Sequence, residues 1–163
     1  MCPVVILKKQ LVPYYVVNIT DESIPFTAVV ETTNLIDPKY VKDYHIVYLP
    51  KYLAPDSPVA TWTDEQVKAE WMKHFHRMFP NYAQSDIVEF IVQRAKYVEP
   101  IRPMNTLDEI PDIQTPVDRL YMGNTVMIYP ELGNGESVSR YAIKVVEQLT
   151  ADARNWKSET RTP

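Results

Sequence analysis

The apolar positions divide the chain into a strand-rich first half and a mixed second half. Pro3-Val4-Val5-Ile6-Leu7 has the composition of a buried strand, and Val4–Lys8 is predicted as the first strand. Tyr14–Ile19, Phe26–Thr33 and His45–Leu49 follow as three more, rich in β-branched and aromatic residues and bounded by Pro, Asp or Asn. Short connections between the first three predict an antiparallel meander. After a Pro-rich loop over 50–61, a helix has a clear start: Thr63 at the N-cap, Gln66 three residues on, and Asp64 and Glu65 in the first turn. Val67, Trp71, Phe75 and Met78 form one apolar stripe, and Pro80 ends the helix. Residues 86–98 fit either a helix face (Ile87, Phe90, Ile91, Val98) or a long strand, and their Ile, Val, Phe and Tyr content favours the strand.

Pro100, Pro103, Pro111 and Pro116 then predict a loop with little regular structure. A short strand Leu120–Met122 follows. A second helix spans Glu136–Leu149 with Val138, Ala142, Val145 and Leu149 on one face, and the polar tail 150–163 is expected to fray. The element order predicts an α+β fold: a mixed, mainly antiparallel sheet with two main helices packed against it.

Composition narrows the function. At 163 residues and 45% hydrophobic, the chain is long and apolar enough for one ordinary core. A net charge of -4 without a Lys/Arg cluster argues against a nucleic-acid partner. No apolar run reaches the ~18 residues of a membrane span. The charges at the N-terminus follow its apolar stretch, the reverse of a signal peptide. The single cysteine, Cys2, excludes an internal disulfide and suits a cytoplasmic location, and it reads as a strand-end thiol. The chain opens directly in strand composition, as a natural domain or a piece of a longer protein would.

Glycine is the most informative residue type. Against 14 prolines there are 3 glycines, Gly123, Gly133 and Gly135, all in one 13-residue window. The glycine-free first 122 residues exclude an early phosphate loop or a complete dinucleotide fingerprint. Elsewhere the candidate chemistry is sparse. His74 and His76 lie two apart and face different sides of a helix, so they cannot share a metal there, and both read as surface histidines with His74 near the edge of the apolar stripe. His45 is remote from both. No metal site, no acid–base pair and no Gly-x-Ser-x-Gly elbow is predicted, and no catalytic residue is singled out. The tyrosines read as core or interface residues, or as the lining of an aromatic pocket. In the glycine window, Leu120-Tyr121-Met122-Gly123-Asn124 leads through a loop to a helix start at Gly133-Asn134-Gly135-Glu136-Ser137-Val138. Such a start either draws an electron-rich group to its N–H groups or is a plain turn capped by Asn134 or Ser137.

This window resembles the C-terminal flavin-binding motif of FAD-dependent amine oxidase-type oxidoreductases, a superfamily that includes protoporphyrinogen oxidases, phytoene desaturases and UDP-galactopyranose mutases. The residues that carry the likeness are Leu120–Asn124, Tyr129-Pro130, and Gly135 through Glu147. Upstream, the opening strand, Tyr14–Ile19, Pro25-Phe26-Thr27, Glu31-Thr32-Thr33-Asn34, Tyr48-Leu49-Pro50, Phe79-Pro80 and Arg94–Pro100 resemble that family's substrate domain. The likeness runs from about residue 4 to 149.

The resemblance implies that Gly123 and Asn124 stand where the family has the Gly-Asp pair that binds the phosphate–ribityl region of FAD. Gly135, Glu136, Ser137 and Val138 match the start of the helix beneath the flavin, whose amides face its C2 carbonyl, and Tyr129 loosely matches a substrate-pocket tyrosine. Asn124 replaces the family's acidic residue, and Ala142 stands where many members have glycine. The family's Gly-x-Gly-x-x-Gly unit, which holds the ADP half of FAD, does not occur in the chain. The resemblance therefore implies a substrate domain (1–122) with the last FAD motif (123–149). FAD would be bound in the full-length protein and not by this piece alone. Its partners would be an N-terminal FAD-binding domain and a small-molecule substrate, and self-association is expected through the face turned to that domain. In the full-length protein the substrate would give a hydride to the flavin. The alternatives are a flavoprotein of the mutase type and a stand-alone α+β binding or interaction domain.

Overall fold

The computed structural model describes residues 1–98 and 100–159. Glu99, in the stretch from Arg94 to Pro100, and residues 160–163 of the polar tail lie outside the described residues. The chain divides into two compact units, Met1–Lys96 and the residues from Tyr97 onward.

The first unit is a sheet covered by a helix. Its strands are β1 (Cys2–Leu7), β2 (Val16–Asn18), β3 (Ala28–Glu31), β4 (His45–Tyr48) and β5 (Ile87–Gln93), and its helix is α1 (Asp64–Met78). The second unit contains one helical turn, α2 (Thr106–Glu109), in the expected loop, and a long helix, α3 (Gly135–Glu159). The fold is α+β, and residues 86–98 contain a strand. Every pairing among the described strands is antiparallel, so the sheet is not mixed.

The sheet order is β2-β3-β4-β1-β5. The meander is therefore β2-β3-β4, and two strands, β3 and β4, lie between β1 and β2. A buried carboxylate explains why residues 8–15 travel instead of turning back. Glu31 is fully buried, and its Oε2 accepts from the Val12 amide at 2.8 Å. Its oxygens also accept from the Leu11 amide at 3.2 Å and from His45 Nδ1 at 3.1 Å. Asn34 Nδ2 donates to the carbonyls of Val12 and Tyr14 at 2.9 and 2.8 Å. Side chains on and after β3 thus provide the partners that a ladder would have given this arm.

One face of the sheet meets α1. Val5, Leu7, Val29, Val47 and Leu49 pack with Val67, Trp71 and Phe75 in one core. Trp71 Nε1 donates to the Leu49 carbonyl at 3.1 Å. The predicted capping box is present: Gln66 N donates to Thr63 Oγ1, and Thr63 N donates to Gln66 Oε1. His74 is a correction, because it is 7% exposed and not at the surface. The buried face of α1 is wider than the four-residue stripe and takes in Met72 and His74 as well. His74 bonds Glu70 through Nε2 at 2.9 Å, which lowers the Glu70 carboxyl below its usual range. The opposite face of the sheet carries a row in register across all five strands, Val16, Val30, Tyr48, Val4 and Ile91. No helix of this unit covers that row.

Two expectations for the second half change. Leu120–Met122 is reduced to one bridge between Tyr121 and Gln114, because Pro111 and Pro116 bracket the partner segment and withhold ladder donors. The predicted fraying after Leu149 does not occur within the described residues, and α3 continues to Glu159. Residues 150–159 contain neither Gly nor Pro, and their alanines and arginine favour helix. Among the described residues no helix is long and apolar enough to cross a membrane.

Tyr82 provides a test of the first unit. Its hydroxyl donates to the Lys9 carbonyl, and burial, with the negative Asp86 beside it, pushes its pKa up to about 12. A raised folded pKa stabilises the fold fully below the ordinary tyrosine value of ~10 and loses that contribution as pH rises towards 12. The stability advantage of the wild type over Tyr82→Phe at pH 8 should therefore shrink between about pH 10 and 12 in urea melts. A constant gap across that range would contradict this reading.

Candidate functional site

The second unit is built around a small core of Ile113, Met127 and Ile128, each about 5–6% exposed. Asn124 starts the turn that buries Met127: its side chain accepts from the Val126 amide at 2.9 Å, and its carbonyl accepts from Met127 at 3.1 Å. The start of α3 is closed in a similar way. Asn134 Oδ1 accepts from the amides of Glu136 and Ser137 at 3.1 and 3.0 Å. Ser137 Oγ, 3% exposed as a residue, accepts from the Asn134 amide at 3.0 Å and donates to the Leu132 carbonyl. The Val138 amide donates to the Asn134 carbonyl at 2.9 Å. The three amides that the resemblance turns towards a ligand are thus engaged in the helix's own cap.

The glycines differ in role. None has a positive φ, and in this unit the left-handed positions are held by Asn105 and Arg119, at φ 72° and 59°. A Cβ on Gly123 would lie 2.8 Å from Cγ2 of Val145 and 3.6 Å from the Tyr141 ring. Gly123 is therefore required for close packing on α3. A Cβ on Gly133 or Gly135 would meet no atom within 4 Å.

That packing also decides which face of α3 turns inward. Tyr121 OH donates to Asp152 Oδ2 at 2.7 Å, and Tyr141, Val145, Gln148, Asp152, Ala153 and Trp156 are the partly buried positions among the described side chains of the helix. Of the predicted stripe, Val145 is on this side. Val138 and Leu149 are 37% and 41% exposed, with Ile143 and Val146 at 59% and 61%. Burial, then the bond to Asp152 and its charge, pushes the Tyr121 hydroxyl up to about 12.

A cleft of about 870 Å³ lies along the inward face of α3, with Ile113, Met122, Met127, Tyr129, Tyr141 and Lys144 among its lining residues. A recess of about 200 Å³ shares Met127, Tyr129, Tyr141 and Lys144 with it and reaches Ser137 and Arg140. Of the sequence-derived site residues, Tyr129 lines both spaces and Ser137 lines the recess. Gly123, Asn124, Gly135, Glu136 and Val138 line neither. Tyr141, Lys144 and Gln148 were not among the sequence candidates, although their spacing of three and four residues places them on one helix face.

The charges around the cleft are unevenly occupied. Arg140 is paired with Glu131 at 2.9 Å and Glu136 at 3.2 Å. Arg102 lies over the Tyr129 ring, 5.5 Å from its centroid, and donates to the Val126 carbonyl at 3.2 Å. Lys144 stands 6.0 Å from the Tyr141 ring centroid and makes no ion pair among the described residues. Burial raises the Tyr141 hydroxyl. The polar side chains that line the cleft include the carboxylate of Asp112, the hydroxyls of Thr115, Tyr129 and Tyr141 and the ammonium of Lys144. Among the described residues no group of three or more His, Cys, Asp or Glu is placed to hold a metal ion.

In comparisons with known proteins, no family model, no curated protein and no solved structure matches the chain.

The two kinds of glycine predict opposite substitutions. Gly123→Ala should destabilise the second unit by about 1–3 kcal/mol, since the stiff Val145 must move to admit a methyl group. Gly135→Ala should be neutral or stabilise by up to about 1 kcal/mol through a less flexible unfolded chain. Denaturant melts followed by circular dichroism compare the two directly. Equal effects would mean that the Gly123–Val145 approach is not a constraint.

Proposed function

We propose that the chain forms the substrate side and the last flavin contact of an FAD-dependent oxidoreductase of the amine oxidase superfamily. In this reading the substrate gives a hydride to the flavin, and the ADP half of FAD is held by a domain outside these residues. The observation that carries the reading is the order of the segments that resemble that family: an antiparallel sheet backed by one helix, then Gly123-Asn124, a loop, and a long helix starting at Gly135. The apolar row Val16-Val30-Tyr48-Val4-Ile91, exposed at Val16 and half-buried elsewhere, supports it as a platform for an apolar substrate. The single cysteine supports a cytosolic setting.

The start of α3 fits a flavin edge in one respect and not in another. Around Gly133 and Gly135 there is open space, so a flat ring can approach the backbone there. The amides of Glu136 and Ser137 are already held by Asn134, so attraction at this end comes from the positive pole of the helix and not from those two donors. When bound, FAD would supply the hydride-accepting ring. This chain would supply the helix end that favours negative charge on the reduced flavin.

The test is an NMR titration of the chain with FAD. Weak, roughly millimolar binding is expected, with amide shifts centred on Gly123, Asn124 and Gly135–Val138. Shifts elsewhere, or none, would overturn the flavin contact. Purification of the chain with near one equivalent of FAD would overturn the assignment of the ADP half to another domain.

A further inference from the structure

The cleft along α3 has the volume of a small-molecule site, about 870 Å³ against the usual range of ~300–1,000 Å³. Its apolar lining includes Ile110, Ile113, Met122, Met127, Tyr129 and Tyr141. Aromatic rings and thioethers form a good lining for a flat ring, since both make favourable contacts with π faces and edges. The Arg102 guanidinium over Tyr129 adds a positive charge to that wall, although its hydrogen bond goes to the Val126 carbonyl.

The charged lining is simpler. Asp112 and Lys144 are the charged residues along the cleft, and neither is in an ion pair among the described residues. They come from different segments, Asp112 from the stretch before the Tyr121 bridge and Lys144 from α3. Arg140, one turn before Lys144, is already paired with Glu131 and Glu136. Lys144 is the cation that lines the cleft itself, and its flexible stem can bring the ammonium to an anion. An anion near Lys144 meets attraction, and one near Asp112 meets repulsion.

We propose that this cleft binds a flat apolar molecule carrying one anionic group, its ring against Tyr129, Tyr141 and the two methionines and its anion at Lys144. The proposal is independent of the flavin reading, and its test contains no flavin, so each can fail without the other.

The test uses the full chain with labelled methionine methyl groups and two probes of one shape, 2-naphthoate and its neutral amide, 2-naphthamide. Naphthoate should move the Met122 and Met127 signals saturably, with a dissociation constant of roughly a millimolar for a ligand of this size. The signals of Met72 and Met78, on α1, should stay in place. Lys144→Gln should weaken naphthoate about three- to fivefold, as expected for an exposed ion pair, and leave naphthamide unchanged. Asp112→Asn should leave naphthoate binding equal or tighter. The proposal is overturned if neither cleft methionine responds, if the amide binds as tightly as the acid, or if Lys144→Gln leaves naphthoate affinity unchanged.

Discussion

A close approach in the second unit, between the backbone at Gly123 and the side chain of Val145, constrains the segments around it. Any side chain at position 123 would hold the segment away from α3. With glycine there, Tyr121 reaches Asp152, and Tyr141 and Lys144 turn towards Met122, Met127 and Tyr129 to enclose the cleft. The contact also selects the inward face of the helix. The helix itself could present either of two adjacent stripes, because Val138, Ala142, Val146 and Leu149 are as apolar as Tyr141 and Val145. Packing at one glycine selects between them, and the other stripe stays exposed.

The first unit has its own organising group. A carboxylate without water around it must find its partners in the protein, and Glu31 finds two amides of the arm 8–15 and the ring of His45. Removing one partner of a buried charge typically costs about 3–5 kcal/mol, more than most single contacts contribute. The arm is thereby held across β3, and β1 is free to pair between β4 and β5.

Local signals in the sequence were readable and long-range ones were not. The start of α1 was legible because its cap lies within four residues, Thr63 to Gln66, and its stripe repeats at helical spacing. The strands showed in their β-branched and aromatic content. The order of the sheet did not show, because Glu31 sits in the polar run Glu-Thr-Thr-Asn and its carboxylate finds its partners 14–20 positions away. His74 was misread because its burial does not follow from the four-residue apolar stripe, and the buried face of α1 is wider than that stripe. In the candidate site Tyr129 was named and Lys144 was not, since a lone lysine on an exposed-looking helix carries no mark of the cleft beside it. The glycine cluster was read as a place for a ligand or a turn, and its three members turn out to differ in their surroundings. Gly123 is there for packing, and the left-handed turns are made by Asn105 and Arg119.

The two units suggest a division of labour, with an apolar sheet face in one and a charged helix end beside a cleft in the other. The flavin reading joins them as parts of one oxidoreductase. The most direct measurement is the flavin content of the protein expressed from its complete reading frame, released by denaturation and quantified by absorbance and mass. The account predicts close to one FAD per polypeptide. A protein that folds and carries no flavin, even after incubation with FAD, would contradict it.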